Sequence, residues 1–406
     1  MLGARMALWN AAKRLPYDAE VEYLESTGTQ WIDTGVLADG EFDAEYTIST
    51  PSTLRNFIVG GARSSTQHLN FGQYEAGGNF VLAYLENYWT ALNTSNPNTL
   101  YTTKVHYASG SQTATVNGVS AQSRQYTGTE ALGRTIYLFK RNVYGASDPI
   151  LPMIGRMYSF KIWQNGVLVR DYIPVRKGTV GYLYDRVSKR LFGNAGTGDF
   201  IVGPDVVPVE YVENSGTQRI DTGFKADNTC KFRIDMERRG GRDYWLFGSR
   251  NGTSTATDKS CLYASVNSSI GYAMMGSAMP SFNSTLIKDG KHMIEMSFAD
   301  GLVIDGDVSA TYTASEQAEV FTNSYPMSIF TMYNGSSYFN AFAGRVYLFS
   351  ITSGGVSRLN LLPVRVGSGS TWEGAMMDTL TRRIYRNAGT GAFSYGNDLP
   401  LETLAN

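Results

Sequence analysis

The chain repeats itself, and no other feature of its 406 residues constrains its fold as strongly. The run Val21-Glu-Tyr-Leu-Glu-Ser-Thr-Gly-Thr-Gln-Trp-Ile-Asp-Thr-Gly35 returns, with few changes, as Val209-Glu-Tyr-Val-Glu-Asn-Ser-Gly-Thr-Gln-Arg-Ile-Asp-Thr-Gly223, 188 residues later. Gly155-Arg-Met-Tyr-Ser-Phe160 returns as Gly344-Arg-Val-Tyr-Leu-Phe349 and Pro174-Val-Arg176 as Pro363-Val-Arg365, 189 residues apart, and Asn194-Ala-Gly-Thr-Gly198 as Asn387-Ala-Gly-Thr-Gly391, 193 apart. The drift in spacing means short loop insertions over a fixed frame. A unit of this length is a whole domain and not a solenoid repeat. The expected organisation is an N-terminal segment 1–16, a domain 17–203, a linker 204–207, a second domain 208–396 and a C-terminal tail 397–406.

Within each copy the local signals are those of strands. Phe42, Ala44, Tyr46 and Ile48 alternate with polar residues, and Cys230, Phe232, Ile234 and Met236 do the same in the second copy, a period-2 pattern that buries one face. That alignment puts Cys230 where copy one has Phe42, so it reads as an inert core thiol. Asn117-Gly118 and Asp305-Gly306 sit between alternating flanks and predict hairpins, because both central residues of a tight hairpin need positive φ. Tyr158, Phe160 and Ile162, with Tyr347, Phe349 and Ile351, read as one more strand pair, and residues 185–192 and 378–385 as closing hairpins. With 26 Tyr and 43 Gly beside 12 Pro, the composition favours strands and turns. No helical periodicity of useful length appears inside either copy.

Charge and cysteine content exclude several function classes. Basic and acidic residues number 35 and 36, so no net field draws the chain to nucleic acid or an anionic membrane. Cys230 and Cys261 form neither a disulfide framework nor a zinc-ligand spacing. No stretch approaches the roughly 20 apolar residues that span a bilayer. Leu2, Met6 and Trp9 fall at helical spacing before Pro16, so residues 1–16 are expected as a short helical or disordered segment and as a possible attachment point for a virion partner. The apolar run there is shorter and less clean than a secretory signal requires.

The opening motif around Tyr23 to Gly35 and the closing motif (Asp171-Tyr-Ile-Pro-Val-Arg176, Leu183-Tyr-Asp185, Asn194 to Gly198) resemble the concanavalin A-like, laminin G-like jelly-roll domains, and within them a branch common in gut bacteria and their phages. Copy two departs from the motif at Leu361-Leu362 and at Met377. The resemblance covers roughly residues 20–200 and 208–396. It implies an all-β chain of two tandem jelly-roll sandwiches, each of two facing antiparallel sheets with about six or seven strands apiece. Such folds host lectins, adhesins, hydrolases and virion decorations alike, so function must come from a site.

Few constellations carry chemistry. Glu41, Asp43 and Glu45 share one face of a strand in the Glu-x-Asp-x-Glu pattern of one β-glucanase family, and Glu41 with Glu45 is the glycoside hydrolase alternative. The same face of copy two carries Thr229, Lys231 and Arg233, which argues against it. His68, His106 and His292 are the only histidines, and no serine-nucleophile elbow is present. Asp33 and Asp221 suit a turn in which Asp bonds its own backbone better than a calcium site. What remains is loops that mix aromatic faces with short polar groups, suited to sugar rings or to a protein. From these, Tyr88, Trp89, Asn142, Tyr144, Tyr333, Asn334 and Tyr338 are the expected ligand-binding residues, with no catalytic residue, metal or cofactor. The expected role is a non-enzymatic, paired lectin-like protein of a phage or prophage particle, in the virion or extracellular after release. Its partner would be a glycan or a cell-surface protein, and a secreted bacterial adhesin is the alternative.

Overall fold

The computed structural model describes residues 15–37, 40–51, 56–62, 68–73, 79–84, 87–94, 96–108, 111–124, 133–143, 146–147, 152–240, 243–252, 257–265, 267–288 and 290–404. For the strands within 56–94 (Ile58 and Gly60 excepted), and for 111–112, 119–124 and 146–147, only the backbone is described. The chain divides into two compact units between Asp205 and Val206.

The first sheet of unit one is organised around the long strand Ile154–Gln164. One edge of this strand pairs with Phe42–Ser49, from which the sheet continues through Tyr101–Ala108, Ser111–Val116 and Val119–Arg124. The other edge pairs with Leu24–Thr27 and then with Val167–Lys177, which leads to Val180–Asp185 and Arg190–Phe192. The second sheet has eight strands, among them Ile32–Leu37, Thr135–Leu138, Asn56–Ala62, His68–Gln73, Asn79–Tyr84 and Asn87–Thr94.

Unit two repeats the pairing of the first sheet. Gly344–Ser353 takes the central place. Cys230–Arg238, Lys291–Ser297 and the hairpin Gly301–Ile304 with Asp307–Ala310 lie on one side, and Val212–Asn214, Val356–Ser368 and Thr371–Asp378 on the other. Its second sheet has six strands, in the order Ile220–Asp221, Ser328–Ile329, Tyr244–Ser249, Lys259–Ala264, Ile270–Gly276 and Ser281–Asn283. Each unit is thus an antiparallel β-sandwich of jelly-roll build. The first sheets are wider than six or seven strands because hairpins extend them at both edges.

The period-2 faces explain the cores. Phe42, Ala44, Tyr46 and Ile48 are buried in unit one, with Tyr46 stacked on Phe160 at 5.6 Å. Cys230, Phe232, Ile234 and Met236 are buried in unit two, where Phe232 meets Phe247 at 5.3 Å. Each large side chain so buried contributes about 1.5–3 kcal/mol. The predicted hairpins form with positive φ at Asn117 and Gly118, and at Asp305 and Gly306. Each turn is locked by its first side chain, Asn117 accepting from the Thr102 N–H at 2.9 Å and Asp305 from the Met293 N–H at 2.8 Å.

The most repeated residues fasten each unit's beginning to its end. In unit one the Asn194 carboxamide accepts from the Trp31 and Gly196 N–H groups and donates to the Gly198 carbonyl, while Gln30 donates to the Asp199 carbonyl. In unit two Asn387 accepts from Arg219 and Gly389 and donates to Gly391, while Gln218 donates to Ala392. A Cβ at Gly196 would stand 2.0 Å from the Thr29 carbonyl oxygen, and one at Gly389 2.2 Å from that of Thr217. Only glycine lets these backbones approach so closely.

The ends of each unit are bound in as well. Arg176 holds Asp205 through two bonds of 2.6 Å, and Arg365 holds Asp398 at 2.6 and 2.7 Å. Pro204 and Asp205, read as linker, are bonded into unit one through Glu22 and Arg176, and Val206 is buried in a small core of unit two. The expected tail is also structured: residues 401–404 form a 3₁₀ turn whose Leu404 fills that same small core.

Candidate functional site

The acidic strand of unit one is a surface of ion pairs. Asp43 bonds the His106 ring at 2.7 Å, and the Glu45 carboxylate lies 2.7 Å from the Lys104 ammonium and 3.9 Å from that of Lys161. Glu41 is exposed where the strand begins. In unit two the same face is rebuilt with inverted charge. Where Glu45 stands opposite Lys104, Arg233 stands opposite Glu295, and Lys231 reaches Glu295 at 3.3 Å and Asp300 at 3.2 Å. A face whose charges swap sign between copies while their pairing persists serves solubility and strand pairing.

Among the described residues, Glu41, Asp43 and His106 bring ligand-capable atoms within 4.8 Å of one another, a geometry open to a divalent ion. Unit two places Lys231 and Ser297 at the register positions of Asp43 and His106. Asp33 makes the expected turn, its carboxylate accepting from the Gly35 N–H. Asp221 is engaged by the Ser328 and Tyr338 hydroxyls and by Arg219 at 3.5 Å. His292 is bonded to Asp305 at 2.7 Å, a structural role. Burial pushes the thiols of Cys230 and Cys261 up to about 12, so both stay protonated and inert. No helix among the described residues is long and apolar enough to cross a membrane.

The expected binding residues fare differently. Tyr144 lies outside the described residues. Tyr88 and Trp89 lie on a described strand, paired with Ala83 and Leu82, but their side chains are outside the described residues. Asn142 is 3% exposed; its amide nitrogen donates to the Thr135 carbonyl, while its side-chain oxygen is buried without a hydrogen-bond donor. In unit two the sequence did gather a cluster. Tyr333 and Tyr338 stand 4.7 Å apart, Tyr325 meets Tyr333 edge-on at 5.6 Å, and Arg219 lies 3.7 Å over the Tyr338 ring. Asn334 is taken up by its own turn, accepting from the N–H groups of Ser336 and Ser337.

This loop continues onto a surface that loop-based reading missed. On the second sheet of unit two, Trp245 pairs with Tyr263, Tyr263 with Tyr272, and Tyr272 with Ser281, a row running straight across four strands. The ring centres are 4.9 Å apart for Trp245 and Tyr263 and 6.2 Å for the stacked Tyr263 and Tyr272. Their neighbours Leu246, Leu262 and Ala273 point into the main core, so the row occupies the opposite face. There it joins Cys261, Met274, Met332 and Phe339, with Tyr263 and Tyr272 half-buried and Ile270 exposed beside them.

Polar groups rim the row. The Asp243 carboxylate accepts from the Tyr263 hydroxyl at 3.1 Å and from Ser265 at 2.9 Å, and a cleft lined by Ser215, Thr217, Tyr244 and Asn340 opens beside it. Burial, reinforced by Asp243, holds the Tyr263 phenol above its ordinary range, so it remains a neutral donor. Arg250 lies 5.4 Å from both the Trp245 and Phe339 rings. Flat apolar faces flanked by fixed donors and acceptors are the chemistry of a saccharide surface.

Neither a protein-family model nor a curated protein matches the sequence. Among solved structures, domains LG4-5 of the mouse laminin alpha1 chain are similar at 12% identity over 83% of this chain and 90% of that one, with a TM-score of 0.32. A "putative carbohydrate binding protein" from Bacteroides ovatus is similar at 15% identity, over 46% of this chain and 60% of that one, with a TM-score of 0.35. The LG1-3 region of the laminin alpha2 chain is similar at 9% identity over 89% and 65%, with a TM-score of 0.30. These likenesses are faint; the jelly-roll architecture rests on the strand pairing itself.

Proposed function

We propose that the protein is a non-enzymatic carbohydrate binder whose ligand lies on the outer face of the second sheet of unit two, across Tyr263 and Tyr272, which the buried Trp245 backs at one end. The observation that carries this reading is the row itself: three rings in direct cross-strand register, Tyr263 and Tyr272 half-buried and Trp245 buried at their end, with hydrogen-bonding groups at the rim. Aromatic faces take the apolar side of a pyranose while rim groups take its hydroxyls. Tyr333, Tyr338 and Arg219 extend the same surface at its loop edge. One of the similar structures carries carbohydrate binding in its name, in keeping with this reading.

The hydrolase alternative has less support. The Glu45 carboxylate is tied to two lysines and Asp43 to a histidine, and the copy-two counterpart of the face is basic. For biological placement we favour a phage or prophage particle, with this chain as an adsorption or decoration module; the repeated opening and closing motifs resemble a branch common to gut bacteria and their phages. A secreted adhesin would use the same face. The test is a glycan array and whole gut-bacterial cells probed with the intact chain, beside Tyr263→Ala and Tyr272→Ala. Binding that drops about tenfold in either variant supports the reading. Binding unchanged in both, or no binding to any glycan or cell, overturns it.

A further inference from the structure

Arg250 is the unusual member of the aromatic face. It is half-buried, its guanidinium is flanked by Trp245 and Phe339, and its Nε–H has no hydrogen-bond acceptor. The acids nearest this face are otherwise engaged: Asp243 by Tyr263 and Ser265, Glu319 by the Ser277 N–H and hydroxyl, and Asp258 by the Ser324 N–H and hydroxyl. Among the described residues no carboxylate lies within ion-pair distance of Arg250, whereas Arg219, Arg233, Arg239, Arg345, Arg365 and Arg386 of unit two each have one. A second cation stands close by. Lys259 is 2% exposed, donates to the Ser277 carbonyl, and feels the Arg250 charge.

A half-buried guanidinium beside aromatic rings and without a counter-ion presents a planar fork of donors that suits carboxylate and sulfate oxygens. The rings beside it do not supply that charge. Neutral sugars would satisfy Tyr263 and Tyr272 and leave Arg250 as it is.

We infer that the preferred ligand is an acidic saccharide, carrying a carboxylate or sulfate that sits on Arg250 while its adjoining rings run along Tyr263 and Tyr272. The inference rests on the saccharide-binding reading given above and narrows it to one ligand class. The preference comes from a charge pair at a partly desolvated site, so it is worth more than an exposed ion pair and weakens with salt.

The experiment is calorimetric titration of the intact chain with three probes: a neutral cello-oligosaccharide, an oligogalacturonate and a sulfated heparin oligosaccharide. The variants are Arg250→Gln, Arg250→Lys and Tyr272→Ala. At least one acidic probe is expected to bind about tenfold tighter than the neutral one. Arg250→Gln should remove that advantage, Arg250→Lys, which keeps the charge and loses the fork, should keep part of it, and Tyr272→Ala should weaken every bound probe. Should Arg250→Gln fail to fold, the wild type still decides: raising salt to about 1 M, where the Debye length is about 3 Å, must erase the acidic preference. Equal or tighter binding of the neutral probe, or an acidic preference untouched by Arg250→Gln or by salt, overturns the inference and leaves the binding face standing. Absence of binding by all three probes, or binding indifferent to Tyr272→Ala, overturns the face and the inference together.

Discussion

The two units share their framework and differ on their surfaces. The strands pair in the same order, the Asn194 and Asn387 clasps use the same bonds, and Arg176–Asp205 recurs as Arg365–Asp398. The outer row of the second sheet does not recur. At the register positions of Trp245, Tyr263 and Tyr272, unit one carries Phe57, Gly72 and Val81, beside the same bulge that follows Phe57 in one unit and Trp245 in the other. Duplication has therefore copied a scaffold, while the aromatic row belongs to one copy. Avidity from two like sites, the simplest use of a tandem repeat, does not follow from this arrangement.

The largest expected effect tests what is shared. Gly196→Ala and Gly389→Ala should each destabilise their own unit by about 3 kcal/mol or more, since a methyl group cannot fit 2.0–2.2 Å from a carbonyl oxygen. Denaturation followed by calorimetry would show one transition falling in each variant. If either substitution is silent, the clasp is not common to both units.

Next come the surfaces. In the intact chain, Tyr263→Ala should weaken saccharide binding by about 1–2 kcal/mol. Alanine at Trp31, which stacks on Tyr137 at 4.2 Å at the corresponding rim of unit one, should leave binding unchanged. An equal loss from the two substitutions would place ligand on both units.

A smaller difference lies in two buried aspartates at matching positions. Asp185 has the Arg170 guanidinium 3.8 Å away, whereas unit two has Leu359 at the corresponding place, and burial raises the Asp378 carboxyl above its ordinary range. A carboxyl raised in the fold keeps its proton longer there than in the unfolded chain. Its contribution is therefore full below the unfolded pKa of 3.8 and is lost as pH rises through the folded value. Asp378→Asn removes this dependence. Relative to wild type, the variant should gain stability in the unit-two transition as pH rises from acid to neutral. A constant difference across that range would show that Asp378 titrates normally.

The smallest effect concerns the inverted ion pairs. Glu45→Gln should change stability by less than about 1 kcal/mol, as partly exposed pairs do. Release of reducing sugar from a β-glucan by the wild type, lost in Glu45→Gln, would reverse the non-enzymatic reading.

Most of the framework could be read from the sequence because its causes are local. Asn117-Gly118 and Asp305-Gly306 specify their turns by themselves, and alternation told which side of Phe42–Ser49 is buried. The clasp was visible as a repeated motif, though its role was not, because the partners are more than 160 residues apart. The aromatic row was hidden for a different reason. Alternation assigns a residue to a face, but only the pairing register puts Trp245, Tyr263 and Tyr272 in line. The bulge after Trp245 also sends Phe247 into the core, where simple alternation would have set it beside Trp245. The burial of Asn142 was hidden because a loop-like composition says nothing of it.

The joined ends of each unit carry a mechanical consequence. Leu24 pairs with Val202, and Val212 with Tyr395, so an early strand and the last strand of each unit lie side by side in opposite directions with their outer ends together, and in unit one the strand before them, Ala19–Val21, is held by Val175 and Arg176. Tension applied through the flanking chain would pull both strands from the same end. The bonds between them would then be loaded one after another, as in a zipper, and not all at once in shear. Such a unit yields at low force and in small steps, with the Asn194 or Asn387 clasp as the next obstacle. A tether built this way would absorb a pull by opening at its rim, leaving the buried sheets and the aromatic face in place.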